Sequence, residues 1–144
     1  MLDHDAICRL IPHSGDMCLL DSVKAWNDKS ITCLTYAHLK KDNPVRNDKG
    51  LPMSSLIEFG AQAMAVHGCL LLEKNGGKME EGYLAALRDV KFSDGYLSDI
   101  SEELVIHAER LYADAGNMIY EMKVEANDRV LASGRATVVS RFSE

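Results

Sequence analysis

Within the apolar run 51–74, LPMSSLIEFGAQAMAVHGCLLLEK, a single acid, Glu58, stands where the residues around it predict a helix sunk into a core. A carboxylate withdrawn from water resists ionisation, the property wanted of a general acid or base near neutral pH. At about 100° per residue, Ser54, Gln62 and Ala65 share the face of Glu58, and Gln62, one turn along, can orient the carboxylate through a hydrogen bond. His67, nine residues on, falls about 180° away and is a poor local partner. The same acid also has a structural reading. Ser55 and Glu58 fit the S-x-x-E capping box, in which the Glu side chain reaches back to the Ser N–H and starts the helix. If the helix begins at Pro52, no cap accounts for Glu58; both readings stand at this point, beside a third in which Glu58 is exposed and plays no part.

The other chemistry-bearing residues form weaker patterns. Cys8, Cys18, Cys33 and Cys69 lie far apart with no CxxC pair, and read as small buried hydrophobes kept reduced, with a catalytic thiol as the alternative. The five histidines, His4, His13, His38, His67 and His107, show neither HxxxH nor HExxH spacing, so a metal site would have to be assembled from distant segments and none is expected. No cofactor motif is present in the sequence, and no cofactor is expected.

The elements that must position Glu58 follow from periodicity. Residues 3–10 place Ile7 and Leu10 at helix spacing, and Pro12 stops a short helix there. Residues 17–26 and 30–38, separated by Asn27-Asp28-Lys29, read as a β-hairpin. The charged stretch 40–50 has the chemistry of an irregular loop. The central helix follows, with Pro52 in its first turn and Asn75-Gly76-Gly77 as a left-handed stop, about 22 residues or 33 Å. From Gly82 the period changes to two, and 83–92, 102–112, 118–125 and 129–141 read as four antiparallel strands. Met118, Tyr120, Met122 and Val124 share one face. Val130, Ala132, Gly134, Ala136 and Val138 share another, on which Ala132, Gly134 and Ala136 are small enough for a helix to lie close. About six strands and one buried helix make an α+β protein, expected as one domain over 1–144.

Composition narrows the partners. With 144 residues, 47% of them hydrophobic, the chain can build a proper core, and its formal net charge of -6 argues against nucleic acid. The N-terminus lacks the pattern of a signal peptide, so the cytoplasm is expected. Interrupted by Glu58, Gln62, His67 and glycines, the apolar run is expected to fall short of a membrane span.

The order IPHSGDMCLLDSV, an Asn-Pro loop, then LP and LIEFGAQAMAVHG resembles the 3-hydroxyacyl-acyl-carrier-protein dehydratases. These carry a Leu-Pro-His stretch running into Leu-Leu-Asp-Arg-Val and a Glu-Ala-Met-Ala-Gln helix. The chain is most similar to their ApeP-like branch in aryl polyene biosynthesis, and the likeness runs from about Ile11 through the terminal strands. The resemblance implies a hot-dog fold, an antiparallel sheet wrapped around the long helix, with two sheets joined edge to edge in a homodimer or in a heterodimer with a related hot-dog subunit. It implies a lyase working on a carrier-protein or coenzyme A thioester in fatty-acid or aryl polyene synthesis. The acyl chain would enter a tunnel at the dimer interface, where a histidine of one subunit and a helix carboxylate of the other move the protons of elimination. Residue by residue, the carboxylate carries over onto Glu58 and the motif's glutamine onto Gln62. Backbone N–H groups near Met53 and Ser54 would polarise the thioester carbonyl, and His13 would be structural or line the entrance.

The classical histidine does not carry over. Counted back without gaps from Glu58 it lands on Pro44, which can neither take nor give a proton, and the glycine before the classical helix is replaced by Met53. His38, at the end of a strand before this loop, could turn toward the pocket, but an ordinary surface histidine is expected. Three activities therefore follow from the residues: a dehydratase; a non-catalytic or half-site subunit whose histidine comes from a partner; or a thioesterase, which needs only one carboxylate to activate water.

Overall fold

The computed structural model describes residues 2–11, 18–44, 46–48, 50–76, 78–114 and 116–143, with backbone alone for 78–83 and 140–143. Pro12, His13, Met17 and Gly77 lie outside the described residues. The chain forms β1 (Leu2–Asp3), α1 (His4–Leu10), β2 (Ser22–Trp26), β3 (Ser30–Thr35), α2 (Leu56–Lys74), β4 (Lys78–Phe92), β5 (Leu104–Asp114), β6 (Asn117–Ala126) and β7 (Arg129–Ser143). Among the described residues the strands make one seven-stranded sheet in the order β1-β2-β3-β5-β6-β7-β4, with every pairing antiparallel. This sheet and its one long helix are the hot-dog fold.

Alternation builds the inner face of the sheet. Met118, Tyr120, Met122 and Val124 of β6 are all buried, as their period of two requires. Ala132, Ala136 and Val138 of β7 are buried too, but Val130, expected with them, is 46% exposed. A register shift between Val124 and Glu125 puts Glu125 opposite Val130 and Val124 opposite Ala132, so Leu131 turns inward instead. The β6–β7 turn is made by Asn127 and Asp128, both at positive φ as a tight hairpin needs. The expected strand 17–26 shortens to β2, and 30–38 ends at Thr35, beyond which Ala37–Leu39 form a 3-10 turn.

Helix α2 buries Leu56, Phe59, Ala63, Met64, Val66 and Leu70 among others, on more than one side, as an all-round apolar helix must. Its close approach to the sheet comes through Gly60: a Cβ there would meet Met122 Cε at 2.5 Å. The space at Gly134, which the sequence assigned to the helix, is filled by Val90 of the neighbouring β4. Gly76, at φ +81, ends the helix beyond Asn75. By length and composition the stretch Met53–Lys74 does reach that of a membrane span, against the sequence expectation, but most of it is buried in this fold and it is the core helix.

Candidate functional site at the start of the core helix

The chain enters α2 through a 3-10 turn, Met53–Ser55, and the α-helix proper begins at Leu56. The Ser55 hydroxyl and N–H both donate to the Pro52 carbonyl, at 2.7 and 3.1 Å. Ser55 therefore supplies no side-chain cap, and the capping box is not built. Met53 is buried and Ser54 exposed in this first turn, where backbone N–H groups have no intrahelical acceptor. Glu58 is half-buried one turn further on, and its Oε1 accepts a hydrogen bond of 3.1 Å from the Gln62 amide.

Gln62 itself is wholly buried, and the reason lies in the segment ahead of β2. Cys18, Leu19 and Leu20 run through the core without belonging to a strand, so side chains must serve their backbone groups. Gln62 Oε1 accepts from the Leu19 N–H at 2.7 Å. The Thr35 hydroxyl donates to the Leu19 carbonyl at 2.6 Å and accepts from the Ala37 N–H. His4 Nδ1 donates to the Leu20 carbonyl at 2.8 Å. With both ends of its amide committed, Gln62 holds Glu58 Oε1 in a fixed place. Glu58 and Gln62 were legible in the sequence. Leu19 and Thr35 were not, because a backbone N–H or a strand threonine carries no spacing signal.

The described histidines are held by other partners. His67 Nε2 donates to the Asn27 carbonyl at 2.8 Å, so its Nδ1 accepts from the Tyr120 hydroxyl at 2.6 Å. Burial pushes His67 below its ordinary pKa and Tyr120 above its own, which suits a neutral imidazole meeting a neutral phenol. His38 is fully buried and not the surface residue expected. Its Nε2 donates to the Ile100 carbonyl at 2.8 Å, while Nδ1 has no partner among the described residues. Burial lowers its pKa, offset only in part by the Ile100 carbonyl. His107 contacts Thr32 and Glu125 on the sheet. Pro44, where the classical histidine would fall, is exposed in a loop in which the neighbouring Asn43 donates to the Ala37 carbonyl.

The cysteines divide. Cys33 and Cys69 are buried thiols, pushed by burial to about 12 and about 11. Cys8 and Cys18, expected to be reduced, are bonded as a disulfide joining α1 to the segment before β2. His4 stands four residues before Cys8 on α1, and its ligand atom lies within 4.8 Å of both sulfurs. Spacings between histidines alone do not reveal this His-x3-Cys pair. As the sulfurs are bonded to each other, the group is a disulfide with an imidazole beside it.

A profile of the ApeP-like family, described as the ApeP dehydratase, matches residues 5–143. The fold superposes on a chain of the dehydratase heterocomplex ApeI:P from Xenorhabdus doucetiae with a TM-score of 0.85 and 25% identity, over 98% of this chain and 92% of the other. An HP0420 homologue from Helicobacter felis matches with a TM-score of 0.66 and 10% identity, over 98% of this chain and 93% of that one. A hypothetical thioesterase with coenzyme A from Streptococcus pneumoniae matches at 0.58 and 15%, over 83% and 84%. These last two show the fold alone. No curated protein sequence matches the chain.

Proposed function

Because this chain belongs to the ApeP-like dehydratase family, we propose that it is one subunit of a two-subunit dehydratase acting on 3-hydroxyacyl thioesters of an acyl carrier protein. Glu58 supplies one proton-transfer group and a histidine of a related hot-dog partner supplies the other. The observation that carries this reading is Pro44, exposed where the classical histidine would stand, while this chain keeps a carboxylate held in place by Gln62. A homodimer would repeat Pro44 in both halves and leave each site without its imidazole. A partner that bears the histidine completes a site with Glu58. The heterocomplex nature of the ApeI:P structure supports the same arrangement.

Elimination breaks the C2–H and C3–O bonds, forms the C2=C3 double bond and releases water. One group takes the C2 proton while another gives a proton to the departing hydroxyl. Glu58 performs one of these transfers and the partner's histidine the other. The Met53 and Ser54 amides, at the positive end of α2, stabilise the charge that develops on the thioester oxygen. The products belong to fatty-acid-like chain growth of the aryl polyene kind, and a carrier-protein substrate implies work in the cytoplasm.

Edge pairing has a candidate surface. β4 closes one end of the sheet over 15 residues, and Leu87 and Phe92 on it are each 40% exposed. A long edge strand with apolar side chains is a template for another strand, and a second hot-dog sheet would cover it.

The test offers a 3-hydroxyacyl carrier-protein thioester to the chain alone and to the chain co-purified with a histidine-bearing hot-dog homologue. Mass spectrometry then follows loss of water. Elimination by the pair and not by the chain alone is expected. Full elimination by the chain alone would overturn the half-site reading, and release of free acid and thiol would replace it with a thioesterase.

A further inference from the structure

We infer that Cys8–Cys18 is a thiol-exchangeable disulfide, with His4 as its proton-transfer group, and that its oxidation state sets the position of Gln62 and hence of Glu58; the last step rests on the function proposed above. The chemistry starts from the tautomer of His4. A carbonyl oxygen only accepts, so the contact of Nδ1 with the Leu20 carbonyl puts the ring proton on Nδ1. The lone pair of Nε2 then faces Cys8 Sγ at 3.5 Å. Cys8 is half-buried and within reach of a small thiol, whereas Cys18 is buried, so attack falls on Cys8. A cavity of about 40 Å³ lined by His4, Cys18, Leu19, Lys40 and Asp42, with room for water, adjoins the buried sulfur.

Exchange with a low-molecular-weight thiol of the glutathione class balances in two steps. In the first, Nε2 takes the thiol proton as the incoming sulfur bonds to Cys8 Sγ. The Cys8–Cys18 bond breaks, its electron pair goes to Cys18, and the imidazolium returns the proton to that thiolate. In the second, another thiol attacks the mixed disulfide, leaving Cys8 as a thiol and the two small thiols joined as their own disulfide. Two electrons enter the protein and two small thiols are oxidised.

The mechanical consequence follows from the hydrogen bonds. Cys18 immediately precedes Leu19, whose N–H fixes Gln62 Oε1, and His4 at the start of α1 holds the next carbonyl, that of Leu20. The disulfide ties α1 to the stretch 18–20 on which the Gln62–Glu58 pair depends. Reduction releases that tie at one end of the chain of contacts.

The test equilibrates the full chain with glutathione at graded ratios of thiol to disulfide, alkylates it, and counts labelled cysteines by mass. Cys8 and Cys18 are expected to change state together while Cys33 and Cys69 stay constant. Cys18→Ser should trap glutathione on Cys8, and His4→Gln should slow exchange by about tenfold or more. The Gln62 side-chain amide resonances are read in the same samples and should differ between oxidised and reduced chain. In the chain paired with its dehydratase partner, reduction should slow elimination by roughly tenfold. Thiols at Cys8 and Cys18 that stay reduced at every ratio would overturn the inference. So would exchange indifferent to His4, or uptake of one Zn2+ per reduced chain that protects both sulfurs from oxidation. Gln62 resonances unmoved by reduction would overturn the coupling. If the pair shows no elimination in either state, the proposed function fails while thiol counts and Gln62 resonances still decide the redox claim.

Discussion

Gln62 joins a structural duty to a proposed chemical one, since its oxygen takes the buried Leu19 N–H while its amide holds Glu58. Replacing it by leucine keeps the bulk and strands the Leu19 N–H, so Gln62→Leu should lower stability to urea by about 1–3 kcal/mol. The buried histidines give the chain a dependence on acid. Burial holds His38 and His67 below their ordinary 6.5, so as the pH falls the unfolded chain binds protons that the folded chain refuses. Their stabilising contribution is whole above about 6.5 and is lost as the pH drops toward the depressed folded values. Urea midpoints should therefore fall between neutral and mildly acid pH, and His67→Gln, which removes one titrating group, should flatten the fall. At this scale the sequence made Glu58 and Gln62 stand out because polar residues in an apolar helix break a pattern. It placed His67 on the far face of the helix by simple angular arithmetic. His38 was misread as a surface residue, because its burial depends on the Ile100 turn 62 residues away in the chain.

Between elements, the seat of α2 in the sheet depends on Gly60 meeting Met122. The nearest atoms there are the flexible end of a methionine, so Gly60→Ala should be tolerated after a small swing of that side chain. Gly60→Val has no such escape and should cost about 1–3 kcal/mol in thermal or urea unfolding, with partial recovery in the double variant with Met122→Ala. The helix and the four long strands were legible because their periods of 3.6 and 2 persist over many residues. What escaped was local and cooperative. The bulge that exposes Val130 depends on the pairing of β6 with β7, and the two-residue β1 exists only because Leu2 and Asp3 lie opposite Val23 and Ser22. The Cys8–Cys18 bond escaped for a related reason: ten residues of separation carry no signal until α1 is folded back toward the start of β2.

For the molecule as a whole, the central claim is a divided site, a carboxylate in this subunit and a histidine in another. The claim needs an interface, and the exposed apolar residues of β4 are its candidate. Leu87→Asp on that edge should shift the reconstituted pair toward separate subunits in sedimentation while leaving the circular dichroism of this chain unchanged, because the residue is 40% exposed in the isolated subunit. The hot-dog architecture was legible in the amino-acid sequence, through motif order and strand pattern together. The proposed division of the site leaves one mark in the sequence, a missing residue, because a partner's histidine would not be written in this chain. The most direct measurement is the single-turnover rate of water loss from a 3-hydroxyacyl carrier-protein thioester by the reconstituted pair, with Glu58 intact and as Glu58→Gln. The divided site predicts a fall of about 10²-fold or more in the variant, with the pair still assembled. An unchanged rate in an intact Glu58→Gln pair would contradict it.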